Sequence, residues 1–123
     1  MALDAKDHTL IIGCRNPQKM VMMNTETGKV EAAQPIGAGV DATKFGDGEA
    51  FASAGDGNLT VAAMKDGKWD VVETVKTAIG ARTMGMDAAT HRIYLATADM
   101  EPATTGRPKP KPGTFKIVVV EKK

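Results

Sequence analysis

Apolar and polar residues alternate along this chain in short runs, each closed by Gly, Pro, Asn or Asp. Thr9-Leu-Ile-Ile-Gly-Cys14, Lys19-Met-Val-Met-Met-Asn24 and Lys29-Val-Glu-Ala-Ala-Gln-Pro-Ile36 come first. Asn16-Pro17 and Thr25-Glu-Thr-Gly28 break them apart, and Pro35 suits an edge strand or a strand end. Val40–Phe45, Glu49–Ala54, Asn58–Met64 and Trp69–Val75 follow, with turns at Gly55-Asp-Gly57 and Asp66-Gly67. A strand–turn–strand centred on Asp87-Ala-Ala-Thr90 ends at Ile93–Thr97, and Phe115–Val120 is the last apolar run. Turn signals recur too often to leave the uninterrupted ten to twelve residues that a helix needs, so every run predicts a strand. The fold class is all-β.

The runs repeat. Aligning Asp4 with Asp87, His8 with His91 and Ile11 with Tyr94 gives one constant offset of 83 residues. Phe45-Gly-Asp-Gly-Glu-Ala-Phe-Ala-Ser-Ala54 is a looser copy between them. Two repeats of roughly 40–45 residues is the period of β-propeller blades, each a four-stranded antiparallel meander. The sequence divides into a first blade over 1–37 lacking most of its inner strand, a second over 38–77, and a third over 78–123 lacking its outer strand. Trp69 reads as an anchor near the blade surface. Between Ala98 and Gly113, Pro102, Pro108, Pro110 and Pro112 prevent regular structure and predict an extended, solvated loop.

Composition narrows the class without choosing a function. Hydrophobic residues make up 42% and charged residues 25% of the 123, the balance of a globular domain. Five aromatics leave Val, Ile, Leu, Ala and eight Met to fill the core. The net charge of +1 is uneven: residues 107–123 carry six basic side chains against Glu121, net +5, which leaves −4 over residues 1–106. Cys14 is alone, so no intramolecular disulfide forms. No apolar run approaches the length of a membrane-spanning helix. Asp4, Lys6 and Asp7 interrupt any secretory signal, and the compartment stays open.

The repeats resemble the YVTN-type, WD40-like β-propeller family, named for a Tyr-Val-Thr-Asn stretch in the second strand. That stretch falls on Tyr94-Leu-Ala-Thr97, with counterparts at Ile11-Ile-Gly-Cys14 and Phe51-Ala-Ser-Ala54. The family's Asp-then-Gly turn is similar to Gly55-Asp-Gly57 and Glu26-Thr-Gly28. The resemblance implies a closed ring, commonly of seven blades, of which this chain has material for fewer than three. It implies no single activity, because fold does not dictate function.

Candidate motifs reduce to structure. Gly37-Ala-Gly39-Val-Asp-Ala42 fits a dinucleotide fingerprint on paper, yet Phe45-Gly-Asp-Gly48 denies it the helix that would hold a pyrophosphate. Gly39 also aligns with Gly80 in a blade-to-blade turn. His8 and His91 share one repeat position, the mark of a turn residue rather than a ligand, and neither has partners at metal spacing. Cys14 reads as a small apolar strand residue. Asp56-Gly-Asn58 opens like a calcium loop, but Gly67 stands where the bidentate Glu belongs. Asn58-Leu-Thr60 matches a glycosylation acceptor. No cofactor, metal or catalytic constellation is expected.

One cluster remains for a ligand or partner. Asp41 and Arg82 occupy equivalent positions just after blade-to-blade turns and are expected to pair, or else to line a polar groove. Arg107, Lys109 and Lys111 of the Pro/Lys loop should share their face. The function expected is a non-catalytic interaction scaffold for a protein or small ligand, with self-association through exposed blade edges. Two other classes are weaker. A lactonase-like hydrolase would need convergent acid/base or metal groups at the channel mouth. Nucleic-acid binding through the basic loop lacks interleaved aromatics and would be strongly salt-dependent.

Overall fold

A computed structural model describes the chain from Met1 to Lys123 as eleven strands in three antiparallel sheets, with no helix. Sheet 1 holds β1 (Ala2–Asp4), β2 (Thr9–Cys14), β3 (Lys19–Asn24) and β4 (Val30–Pro35) in sequence order. Sheet 2 holds β5 (Val40–Gly46), β6 (Glu49–Ala54), β7 (Asn58–Lys65) and β8 (Lys68–Lys76). Sheet 3 has three strands, β9 (Thr83–Met86), β10 (Ile93–Thr97) and β11 (Lys116–Val120), with β10 in the middle. The all-β expectation holds, and several strands begin and end where the sequence pattern places them.

Turn chemistry sets those boundaries. Asp47-Gly48 and Asp66-Gly67 each have two consecutive positive φ values, 52° with 74° and 51° with 77°, as a two-residue hairpin turn matched to strand twist requires. Asn24 Oδ1 accepts from the backbone N–H of Glu26 and of Thr27, closing the turn between β3 and β4. Asp4 and Asp87 perform the same task in the β1–β2 and β9–β10 turns. Asp4 Oδ1 accepts from the Lys6 and Asp7 N–H groups, and Asp87 Oδ1 accepts from Ala89 N–H. His8 and His91 close these two turns with φ of 53° and 57°. Both histidines therefore serve the backbone, in a region an L-residue adopts at a cost.

Two cores hold the three sheets together. Ile11, Met20 and Met22 of sheet 1 bury against Val40, Ala50, Ala52, Ala62 and Trp69 of sheet 2. Phe51, Leu59 and Val61, on the other side of sheet 2, bury against Met84, Ile93 and Leu95 of sheet 3, with Ala81 from the connector. Alternation along β6 therefore feeds successive side chains into different cores. Trp69 departs from expectation: it is 9% exposed and belongs to the first core. Sheet 1 covers the ring, and the Gln34 side-chain amide donates to the Trp69 carbonyl at 2.7 Å.

Buried hydroxyls add polar links between sheets. Thr43 Oγ1 donates to the Ile11 carbonyl across the first interface. Ser53 Oγ lies within bonding distance of the Ala42 and Arg82 carbonyls, tying sheet 2 to the start of sheet 3.

Candidate interaction face

The connectors between sheets converge on one end of the molecule. The connector after β4 reaches the β6–β7 hairpin, where Gly55 N–H donates to Gly39 O and Asp56 N–H to Ala38 O. Asp56 Oδ2 returns the contact by accepting from Ala38 N–H at 2.8 Å. The connector after β8 binds the same hairpin through Thr77 N–H to Gly57 O and Gly80 N–H to Gly55 O. Gly39 and Gly80 both have positive φ, 77° and 80°. The Gly37–Gly39 stretch leads into β5, so no helix N-terminus faces it, and Asp56 is committed to backbone N–H groups rather than open for calcium.

Asp41 stands at this end, but its partner is not Arg82. Arg15, at the end of β2, places a guanidinium nitrogen 3.4 Å from Asp41 Oδ1 and donates from Nε to the Val40 carbonyl at 2.9 Å. Thr83 Oγ1 donates to Asp41 Oδ2. The carboxylate is thus held between sheets 1 and 3. Arg82 makes no ion pair within 4.0 Å. Its stem lies over Gly55, with Cδ 3.9 Å from where a Cβ on that glycine would sit. Equal repeat positions suggested the pair; the strand-end Arg15 wins because it reaches the Val40 carbonyl and the Asp41 carboxylate together.

The Pro/Lys loop is exposed from Glu101 to Gly113, yet its base is built. Met100 and Pro110 form an isolated antiparallel bridge. Glu101 N–H donates to Lys109 O at 2.8 Å and Lys111 N–H to Asp99 O at 2.7 Å. Lys116 Nζ sits 2.6 Å from Asp99 Oδ1, and this cation holds the Asp99 carboxyl below the usual aspartate range. The prolines exclude a long strand without excluding a short two-stranded stem. Met100 then tucks against Gly80, where an added Cβ would come within 2.7 Å of its Cε. No hydrogen bond or ion pair joins the Arg107, Lys109 or Lys111 side chains to Asp41 or Arg82.

This end offers the unpaired guanidinium of Arg82, the ion-paired carboxylate of Asp41 and an exposed basic loop that carries Arg107. The exposed Thr83 hydroxyl donates to the Asp41 carboxylate, and no group of three or more His, Cys, Asp or Glu residues is placed to hold a metal. The arrangement can contact an anion through Arg82 and the exposed basic side chains of the loop. Comparisons with family models, with curated proteins and with solved structures found no match to this chain.

Proposed function

We propose that the chain is a non-catalytic β-propeller repeat scaffold that works by stacking its blades against those of another copy. The supporting observation is the fate of one repeat position. Ile11 and Phe51 align forty residues apart, and each is buried between successive sheets. Tyr94, the third member of the series, is 37% exposed on the far face of sheet 3. Val119 lies opposite it in the register, and Ile117 lies opposite Ala96 on that face, at 52% and 46% exposure.

The opposite end of the stack has the matching chemistry. Leu3, Leu10 and Met23 share one register row on the outer face of sheet 1, and Ile12 lies opposite Val21 in the next. Ile12 is the counterpart of Ala52 and Leu95, which face the preceding sheet in the two interfaces already formed. Sheet 1 of a second copy on sheet 3 of the first would repeat the internal interface. Such a contact is heterologous, and it yields a ring if the rotation closes. Apolar faces of this kind promote association when left open.

Light scattering coupled to size exclusion tests the reading. Masses at multiples of 12.9 kDa are expected for the wild type. Tyr94→Lys with Val119→Lys should return the monomer with its β-rich circular dichroism unchanged. A stable wild-type monomer at micromolar concentration would overturn the reading.

A further inference from the structure

Between β8 and the free edge of β11 lies an open cleft of about 670 Å³. Its floor is Phe51, Leu59, Val61, Val75, Ile93 and Val120. Within the molecule, the corresponding space between sheets 1 and 2 is filled. There the register places Ile11 opposite Met22 and Gly13 opposite Met20, as Phe51 lies opposite Val61 and Ser53 opposite Leu59. The filler is the outer strand of sheet 2: β8 lies beside β4 and buries Trp69 in the core with Ile11, Met20 and Met22. The cleft is the same seat one sheet further on: the three corresponding positions are buried against sheet 3, and no strand lies between β8 and β11 above them.

We propose that this cleft is a peptide-binding site. Its ligand is an extended segment, supplied in trans, that pairs antiparallel with β11 and inserts one bulky apolar side chain between the half-buried Val75 and Val120, above Phe51 and Val61. The repeat correspondence rests on the propeller reading, whereas the cleft and the free edge do not. Main-chain hydrogen bonds to an exposed strand edge supply affinity in this mode, and alternate side-chain pockets supply specificity. The volume lies within the range of sites that bind small or linear ligands.

Charge chooses among possible segments. Asp47, Glu49, Glu73 and Glu121 line the cleft against Lys122 and Lys123, a net charge of −2 with His neutral. Lys122 is already engaged, 3.1 Å from Glu49 and 4.0 Å from Asp47. Glu73 has no ion partner within 4.0 Å. The preferred segment therefore carries basic residues at its ends. The strand that fills the internal counterpart has this character, since β8 runs Lys68-Trp-Asp-Val-Val-Glu-Thr-Val-Lys76.

A fluorescein-labelled peptide with the sequence of residues 68–76 is the probe, titrated into the full chain and followed by anisotropy. A dissociation constant below about 100 μM is expected, modest because the free peptide must be ordered on binding. Replacing its Trp by Ala, or both terminal Lys by Glu, should each weaken binding at least about tenfold. N-methylation of alternate residues in one phase should abolish binding, and in the other phase leave it nearly intact, because only one edge of a strand meets β11. Val120→Arg in the protein should remove binding. Ile117→Lys, on the opposite face of β11, should leave peptide binding unchanged while weakening self-association, so the two readings fail separately. No binding at 1 mM, indifference to Val120→Arg in a folded variant, or equal tolerance of both methylation phases would each overturn the site. Self-association that is lost in Val120→Arg, with no peptide bound by the wild type, would give the seat to a second copy and overturn it too.

Discussion

Arg15 joins two sheets by reaching Asp41 across their interface, with the guanidinium 3.4 Å from the carboxylate and Nε 2.9 Å from the neighbouring Val40 carbonyl. The ion pair is solvent-exposed, so its own worth is small, roughly 0–1 kcal/mol. The hydrogen bond to a backbone carbonyl adds about 1 kcal/mol. Arg15→Ala should therefore cost more than Asp41→Asn, by roughly 1 kcal/mol in urea denaturation. Equal losses would mean that the carboxylate carries the contact.

Gly80 combines two constraints that Gly28 separates. Both have positive φ, but a Cβ at Gly28 meets open space, whereas at Gly80 it would lie 2.7 Å from Met100 Cε and 3.3 Å from Thr97 Oγ1. Gly28→Ala should cost about 1 kcal/mol, the price of a left-handed alanine. Gly80→Ala should cost roughly 2–4 kcal/mol, because overpacking adds to the backbone term. Thermal melts of the two variants side by side, with Gly80→Ala in a Met100→Ala background to relieve the clash, separate the contributions.

Deleting residues 103–107, the tip of the Pro/Lys loop, should leave stability within about 0.5 kcal/mol, since loop closure depends weakly on length. Deleting Thr104 to Lys111 also removes the Glu101–Lys109 and Lys111–Asp99 backbone bonds and the two bonds that Thr114 donates to the Lys111 carbonyl. It should cost roughly 2–4 kcal/mol at the usual net worth of about 1 kcal/mol for each of four hydrogen bonds. Denaturant midpoints of the two deletions decide whether the stem contributes or only the tip is dispensable.

Trp69 is the single tryptophan and reports on the first core alone. Its emission should be blue-shifted in the native state and move to the red on unfolding. Trp69→Ala should cost about 3–5 kcal/mol. Trp69→Phe should cost much less, because the indole Nε1 has no protein acceptor to lose. A native emission maximum typical of exposed indole would contradict the burial.

Acid should act through two exposed aspartates. The Ala89 N–H and then the Thr90 hydroxyl hold the Asp87 carboxyl below its ordinary value, and Lys116 does the same for Asp99. A depressed native pKa means that the unfolded chain binds the proton more readily. Their contribution is thus present above the ordinary aspartate pKa of about 3.9 and is lost as pH falls through the lower native values. Urea midpoints should hold steady near pH 5 and decline below about pH 4, less steeply in an Asp87→Asn, Asp99→Asn variant.

Local chemistry made the strands legible. Lys19–Asn24 and Glu49–Ala54 are bounded by residues whose turn geometry needs no tertiary help, and both strands run as the pattern implies. Asp87 and His91 were legible as a turn for the same reason. What the pattern could not carry was depth. Alternation says that Trp69 and Asp70 point opposite ways, not that another sheet covers one side. Partner choice was equally hidden: Arg15 and Asp41 are far apart in sequence and meet only once Val40 is seated against Gly13, where a Cβ would come 2.8 Å from Val40 Cγ2. The Met100–Pro110 bridge is hidden in the sequence because prolines mask short pairings that do not use their missing N–H.

Phe51 and Ala52 are neighbours in β6, yet they serve different cores. The two halves of the molecule therefore share one strand as a common wall, and neither can open without stripping a face of it. Loss of the first core should lower the barrier to losing the second, so that melting is cooperative across the whole length. In hydrogen exchange the amides of β6 and β7 should be the last to surrender their protons, long after β1 and β11 have frayed. The middle of the chain is its memory of the fold; the outer strands are where it negotiates with its surroundings.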